Sequence, residues 1–210
     1  MKSGTSAQAA VNAVYRRLAP VYDLIYGALL HHGRQSAIAR LSPQAGESIL
    51  EVGVGTGLSA LRYPRRCRVA AIDMSGPMLE RARVRLERRG CRHVRLCQMD
   101  AGHLAFADAQ FDAVYAPYVL NVVPDPVAAV REMRRVCRPG GRLVLLNHFD
   151  HEDAARQIWM RAAGRLAVWM TGADWGLDLE HLLSATNLTA VSVESVNLPP
   201  VSSVVVCRRA

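Results

Sequence analysis

Lysine is nearly missing from this chain. Lys2 is the only one, so the 26 basic residues behind a net charge of +8 are otherwise all arginine. Two causes fit: a composition bias in the coding sequence, or attraction to a polyanionic surface, either nucleic acid or anionic lipid. No apolar run approaches the roughly 18–20 residues of a membrane span. The nearest stretch, Val11 to Leu30, is interrupted by Arg16, Arg17 and Asp23. The N-terminus lacks a charged–apolar–small-residue order, so no secretory signal is expected. Five scattered cysteines, Cys67, Cys91, Cys97, Cys137 and Cys207, are odd in number and match no metal-ligand spacing. They read as free thiols in a reducing cytoplasm, and no metal site is expected. Two phosphate-binding signatures are also missing. The dinucleotide pattern G-x-G-x-x-G needs a glycine at position 58, which is Leu58. No G-x-x-x-x-G-K-[ST] occurs, which excludes the nucleoside-triphosphate loop.

What is present is Glu51-Val52-Gly53-Val54-Gly55-Thr56-Gly57, after the apolar run Ser48-Ile49-Leu50 and before a helix-like stretch from Leu58. At such a strand–turn–helix junction glycine lets the backbone approach a ligand closely. The next strand-like run, Arg68 to Ile72, ends in Asp73, twenty positions after Gly53. A carboxylate at the tip of the neighbouring strand can accept both hydroxyls of a ribose, so the pair points to a nucleoside-bearing cofactor.

With 210 residues, half of them hydrophobic, the chain suits one α/β domain with extra elements. Strands are expected near 48–53, 68–73, 93–99, 111–116 and 141–147, and helices near 57–63, 76–90 and 126–138. Ser75 is a candidate N-cap and Pro77 fits a first helical turn. Gly90 should end that helix, and Pro139-Gly140-Gly141 should stop the next one and turn into a strand. Residues 187–207 predict an antiparallel closing hairpin through Asn197-Leu198-Pro199-Pro200. The alternating order implies a mostly parallel sheet covered on both faces, with ligands at the carboxyl ends of its strands. Seven arginines between Arg81 and Arg95 read as a solvated helix face.

The spacing E-x-G-x-G-x-G resembles motif I of the class I methyltransferases that use S-adenosyl-L-methionine and release S-adenosyl-L-homocysteine. Asp100-Ala101, Phe111 to Tyr115, Ala116-Pro117-Tyr118 and Arg138-Pro139-Gly140-Gly141 follow in that family's order. The resemblance implies a doubly wound Rossmann-like sheet, mostly parallel with an antiparallel C-terminal hairpin and N-terminal helices. Cofactor contacts are then implied at Glu51, Val52, Gly53, Gly55 and Gly57, at Asp73, Met74 and Met78, and at Asp100, Ala101, Pro117 and Tyr22. Asp112 reads as a strand-start acid only.

The flanks narrow the resemblance. Val14 to Asp23, Tyr26-Gly27, Gly33-Arg34, Tyr118 to Pro126 and Asn147-His148-Phe149 together resemble the bacterial phospholipid N-methyltransferases, which methylate phosphatidylethanolamine stepwise to phosphatidylcholine. That implies a peripheral enzyme on the inner face of the cytoplasmic membrane. Its partners would be a phospholipid substrate and an anionic lipid surface, with no nucleic acid, and a monomer is favoured. Residues 1–40 are expected to form a helical cap or membrane-association segment, and 41–210 the methyltransferase domain. Apolar residues from Ala10 to Leu29 recur at helical intervals beside Arg16 and Arg17. Such a helix either lies in the lipid interface or caps the pocket, and both readings stand.

An ammonium must lose its proton before its nitrogen can attack a methyl group. Tyr15, Tyr22, Tyr118 and His148 are the candidate acceptors or relays, and His148 reads equally well as a hydrogen-bonded structural residue. Arg16 and Arg34 are the choices for the lipid phosphate, with His31, His32 and His151 weaker options. Asn121 and His148 are further substrate-side candidates. Trp159, Trp169 and Trp175 line an acyl channel, touch the interface or pack under a helical cover. Three alternatives stay open: a quinone-biosynthesis C-methyltransferase sharing the Val14–Asp23 opening, an RNA methyltransferase, and an inactive cofactor-binding scaffold.

Overall fold

The computed structural model describes residues 30–150, 177–197 and 201–209. The expectations placed on Tyr15, Arg16, Arg17, Tyr22 and the stretch up to Leu29 lie outside the described residues, as do those on His151, Trp159, Trp169, Trp175 and residues 198–200.

Helix α1 (His31–Leu41) leads into β1 (Ser48–Val52) and β2 (Arg68–Asp73). Next come α2 (Gly76–Arg88), β3 (Val94–Gln98), β4 (Phe111–Pro117), α3 (Pro126–Val136) and β5 (Cys137–Asn147). Helix α4 (Leu179–Thr186), β6 (Thr189–Val196) and β7 (Ser202–Arg208) close the chain. One seven-stranded sheet runs in the order β3-β2-β1-β4-β5-β7-β6. It is parallel from β3 to β5 and antiparallel where β7 pairs with β5 and β6. The expected doubly wound sheet and closing hairpin are both present. β7 lies inside the hairpin against β5, which leaves β6 at the edge.

Strands buried on two faces read as continuous apolar runs, and that is why Ile49-Leu50 of β1 and Leu143 to Leu146 of β5 have no exposed surface. On one face α1 and α2 supply Ala37, Ile38, Leu41 and Leu86 to the core. On the other, α3 and α4 supply Ala129, Val130, Met133 and Leu182. Truncating Leu41 or Met133 to alanine should each cost about 2–5 kcal/mol. Helix α1 spans the position-40 boundary, and its buried side belongs to the sheet's core.

The chain runs outward from β1 to β3, then returns to place β4 on the other flank of β1. Segments leaving β1 and β4 go to opposite faces, so a crevice opens between their carboxyl ends.

Several local expectations are corrected. The helix expected over 57–63 is a single 3-10 turn, Ala60–Arg62. Pro64 forces the preceding Tyr63 into extended conformation (φ −71°, ψ 138°), which stops helix growth. Strand β5 starts at Cys137, directly after α3, and not at 141. Arg138 to Gly141 form a bulge there, since the register jumps from Phe111–Cys137 to Ala113–Arg142. Pro139-Gly140-Gly141 therefore shapes the strand and does not end the helix. Ser75 stands at the N-cap of α2 but makes no side-chain cap; its own N–H donates to Asp73 Oδ1 instead. Helix α4 was not anticipated, although Asp178 caps it by accepting from the His181 N–H at 2.9 Å.

Candidate active site

The glycine turn and the end of β2 are stitched together by the backbone. The Gly53 and Val54 N–H groups donate to the Ile72 carbonyl at 2.8 and 2.9 Å. Asp73 Oδ2 accepts from the Gly55 N–H and Oδ1 from the Ser75 N–H, both at 2.8 Å. Each carboxylate oxygen keeps a lone-pair direction for a ligand. Burial pushes the Asp73 carboxyl up, while the Ser75, Gly55 and Met74 amides pull it back down. Gly53 (φ +76°) requires its lack of a side chain twice over, because a Cβ there would stand 2.6 Å from Val119. Gly55 opens onto empty space.

Around this turn lies a cleft of about 1310 Å³, counting its open mouth. Val52, Gly53, Gly55, Asp73, Met74 and Met78 wall it on the β1–β2 side. Asp100, Ala101, Pro117, Tyr118 and Arg34 close it from the β3, β4 and α1 sides. Most of the described residues singled out from the sequence are thus brought together. Gly57 and Glu51 stand behind this wall. Asn121 and His148 lie off it as well: the Asn121 amide is committed to the His148 backbone, donating to its carbonyl at 3.1 Å and accepting from its N–H at 3.3 Å. His148 is 6% exposed and bonds the Val201 carbonyl through Nδ1 at 2.8 Å. Since a carbonyl only accepts, Nδ1 carries the hydrogen. Burial pushes the His148 pKa down, with the Val201 bond opposing.

Glu51 is wholly buried, with the Tyr63 hydroxyl as its nearest polar neighbour. Burial pushes its pKa up to about 8; the Tyr63 hydroxyl and Arg34 pull it down and Asp73 pushes it up. A buried acid immediately before the turn favours a ligand bearing positive charge, which would offset the desolvation.

The sequence reading missed Thr56, Ser59 and Met99 of the wall, and Val119, Val122 and Val123 beyond β4. An apolar run after a strand looks the same whether it packs inward or walls a cleft. It also missed Asn197, which is 5% exposed and reaches Tyr118 from the far end of the sheet.

A ribose acceptor and a glycine turn at the switch point of a parallel sheet define an α/β enzyme that works with a nucleoside cofactor. Residues 50–145 match the protein family described as Methyltransferase domain. The chain is 45% identical over 157 residues to the phosphatidylethanolamine N-methyltransferase of Cereibacter sphaeroides, covering 74% of this chain and 76% of that one. It is 39% identical over 149 residues to the demethylmenaquinone methyltransferase of Thermobifida fusca, covering 67% and 61% respectively. Among solved structures, the YcgJ protein of Bacillus subtilis superposes with a TM-score of 0.67 at 26% identity, covering 79% of this chain and 73% of that one. The chain belongs to the class I S-adenosylmethionine-dependent methyltransferases, and S-adenosyl-L-methionine is its cofactor. Three features of the site fit that molecule: the open face at Gly55, the unfilled acceptor directions of Asp73, and the buried acid at Glu51.

Proposed function

We propose that this methyltransferase acts on the amine of phosphatidylethanolamine and its methylated intermediates, toward phosphatidylcholine, at the inner surface of the cytoplasmic membrane. The observation that carries the reading is the 45% identity to a phosphatidylethanolamine N-methyltransferase. The cleft supports it with an aromatic ring and a cation side by side, Arg34 standing 5.2 Å from the centroid of the Tyr118 ring.

When bound, S-adenosylmethionine supplies a methyl group on a positively charged sulfur. Asp73 would accept the ribose hydroxyls, Asp100 and the Ala101 amide would meet the adenine, and Glu51 would offset the positive end. The apolar wall of Met78, Met99 and Val119 excludes water from the reacting centre. Tyr118, at the carboxyl end of β4, takes up the proton that the ammonium must lose, and its ring face holds the growing methylammonium. Arg34 pairs with the lipid phosphate. Among the described residues no helix is long and apolar enough to cross a membrane.

A second reading, a quinone C-methyltransferase, is favoured by the 39% identity to the demethylmenaquinone enzyme. Its acceptor carries no phosphate and needs no cation at Arg34. Labelled cofactor offered with ethanolamine-headgroup liposomes and, separately, with a demethylated quinone decides between them. Label in mono-, di- and trimethylated lipid is expected; label only in the quinone would replace the lipid reading.

A further inference from the structure

Tyr118 sits in left-handed backbone conformation (φ +56°), and its hydroxyl meets the far end of the sheet. Asn197, also left-handed (φ +74°), directly follows β6. Its Oδ1 accepts from the buried Gly33 N–H of α1 at 2.8 Å. That contact orients the amide, because an N–H must face an oxygen, so the two Nδ2 hydrogens point the other way. One goes to the Tyr118 hydroxyl at 3.1 Å, the other to Ser202 Oγ at 3.0 Å. Ser202 Oγ in turn lies 3.2 Å from His148 Nδ1. Gly33 is the only residue that allows this approach: a Cβ there would stand 2.5 Å from the Tyr118 hydroxyl and 3.0 Å from Asn197 Oδ1. Three segments far apart in the chain thus converge on one phenol oxygen at the edge of the cleft.

We infer that Asn197 is a positioning residue for methyl transfer: anchored by Gly33, it holds the Tyr118 oxygen at the edge of the cleft. The inference deepens the proposed amine methylation and rests on it. The proton moves from the acceptor's ammonium to the ionised Tyr118 oxygen, leaving a neutral amine with its lone pair, and then leaves to water at the cleft mouth. One proton is released for each methyl group transferred. Among the described residues the groups facing Tyr118 are Arg34 from α1, Tyr115 from β4 and His148 beyond β5. From the β6–β7 side, among the described residues, the neutral Asn197 and Ser202 reach it. Burial holds the Tyr118 phenol above its ordinary value, and Asn197, Arg34 and Ser202 only partly oppose it. An amide donor removed there should make the phenol a weaker acid.

Asn197→Asp keeps an acceptor for Gly33, tolerates the left-handed backbone and removes both donors. Its carboxylate also raises the phenol by charge, so the uncharged Asn197→Ala is read beside it and must move the phenol the same way. Ser202→Ala is the milder second variant. The acid limb of the kcat profile should move up by about one pH unit in Asn197→Asp, and by less in Ser202→Ala. Adding Asn197→Asp to Tyr118→Phe should change nothing further. An unmoved limb with activity lowered equally at every pH would overturn the inference and leave Asn197 a purely structural clamp. Ultraviolet titration of the phenol, read as the difference between the protein and its Tyr118→Phe form, needs neither lipid nor methyl donor. Its midpoint should rise in Asn197→Asp, and a fixed midpoint would also overturn the inference. If no ethanolamine lipid is methylated, the proposed function fails while this titration still decides whether Asn197 tunes the phenol.

Discussion

On the β1–β2 side of the cleft the residues that meet are close in the chain: Gly55 reaches Asp73 across 18 positions, and Ser75 reaches it across 2. On the β4–β7 side Tyr118 meets Asn197 across 79 positions, and Asn197 meets Gly33 across 164. The first side is a strand–turn–strand unit whose amides close on one carboxylate, and any chain with this local order can build it. The second exists only after three remote segments have packed. Recognition of a common cofactor can therefore reside in a portable local motif. Choice of acceptor is left to contacts that each chain assembles for itself.

The largest expected break in this contrast is Asp73→Ala. It should weaken S-adenosylmethionine and S-adenosylhomocysteine binding at least about 100-fold by calorimetry, because two loop amides lose their acceptor and the carboxylate proposed for the ribose hydroxyls is gone. Parity with the unaltered protein would remove the cofactor side from the β1–β2 turn.

Gly53→Ala comes next. Left-handed backbone and a 2.6 Å approach to Val119 both oppose a methyl group there. A loss of about 2–4 kcal/mol is expected in urea unfolding, with cofactor affinity falling alongside. Gly33→Ala is the matching change on the other side. It should raise the acceptor KM and lower kcat while cofactor affinity stays within about twofold. Equal damage to both ligands would erase the distinction between the two sides.

Glu51→Gln probes the charge behind the turn. Burial lifts the folded carboxyl from 4.5 to about 8, so the folded state favours the protonated form. The stability this gives is fully present below 4.5 and is lost as pH rises toward 8. Thermal melts of Glu51→Gln should therefore flatten that decline, with Tm at pH 8 raised by roughly 3 °C or more. A Tm that falls instead would mean that the Tyr63 hydroxyl and Arg34 outweigh burial at this carboxyl.

Arg34→Ala is the smallest. A cation at a partly open mouth contributes modestly, so the KM for a phosphate-bearing acceptor should rise about tenfold with cofactor binding unchanged.

The legible parts of the sequence were those with strong local causes. Apolar runs marked the central strands to within a few residues, and Val52, Gly53 and Gly55 with Asp73 marked the cleft wall, while Glu51 and Gly57 stand behind it. Errors fell where local rules competed. Glycine and proline around 57–64 favoured a turn over the expected helix, and the bulge at Arg138–Gly141 extended β5 backward to Cys137. Asn197 carried only a turn signal, and no local pattern joins it to Tyr118.

By itself the amino-acid order determined the sheet's alternating plan, its two covered faces and the glycine turn with its acid. These follow from periodicity, burial and backbone sterics, which act within a few residues. Tertiary structure alone decided that β7 enters between β5 and β6, that Gly33 presses on Tyr118, and that Asn197 spans the two. Those outcomes depend on how separate segments share one interior volume, and close packing settles that only when the whole core assembles.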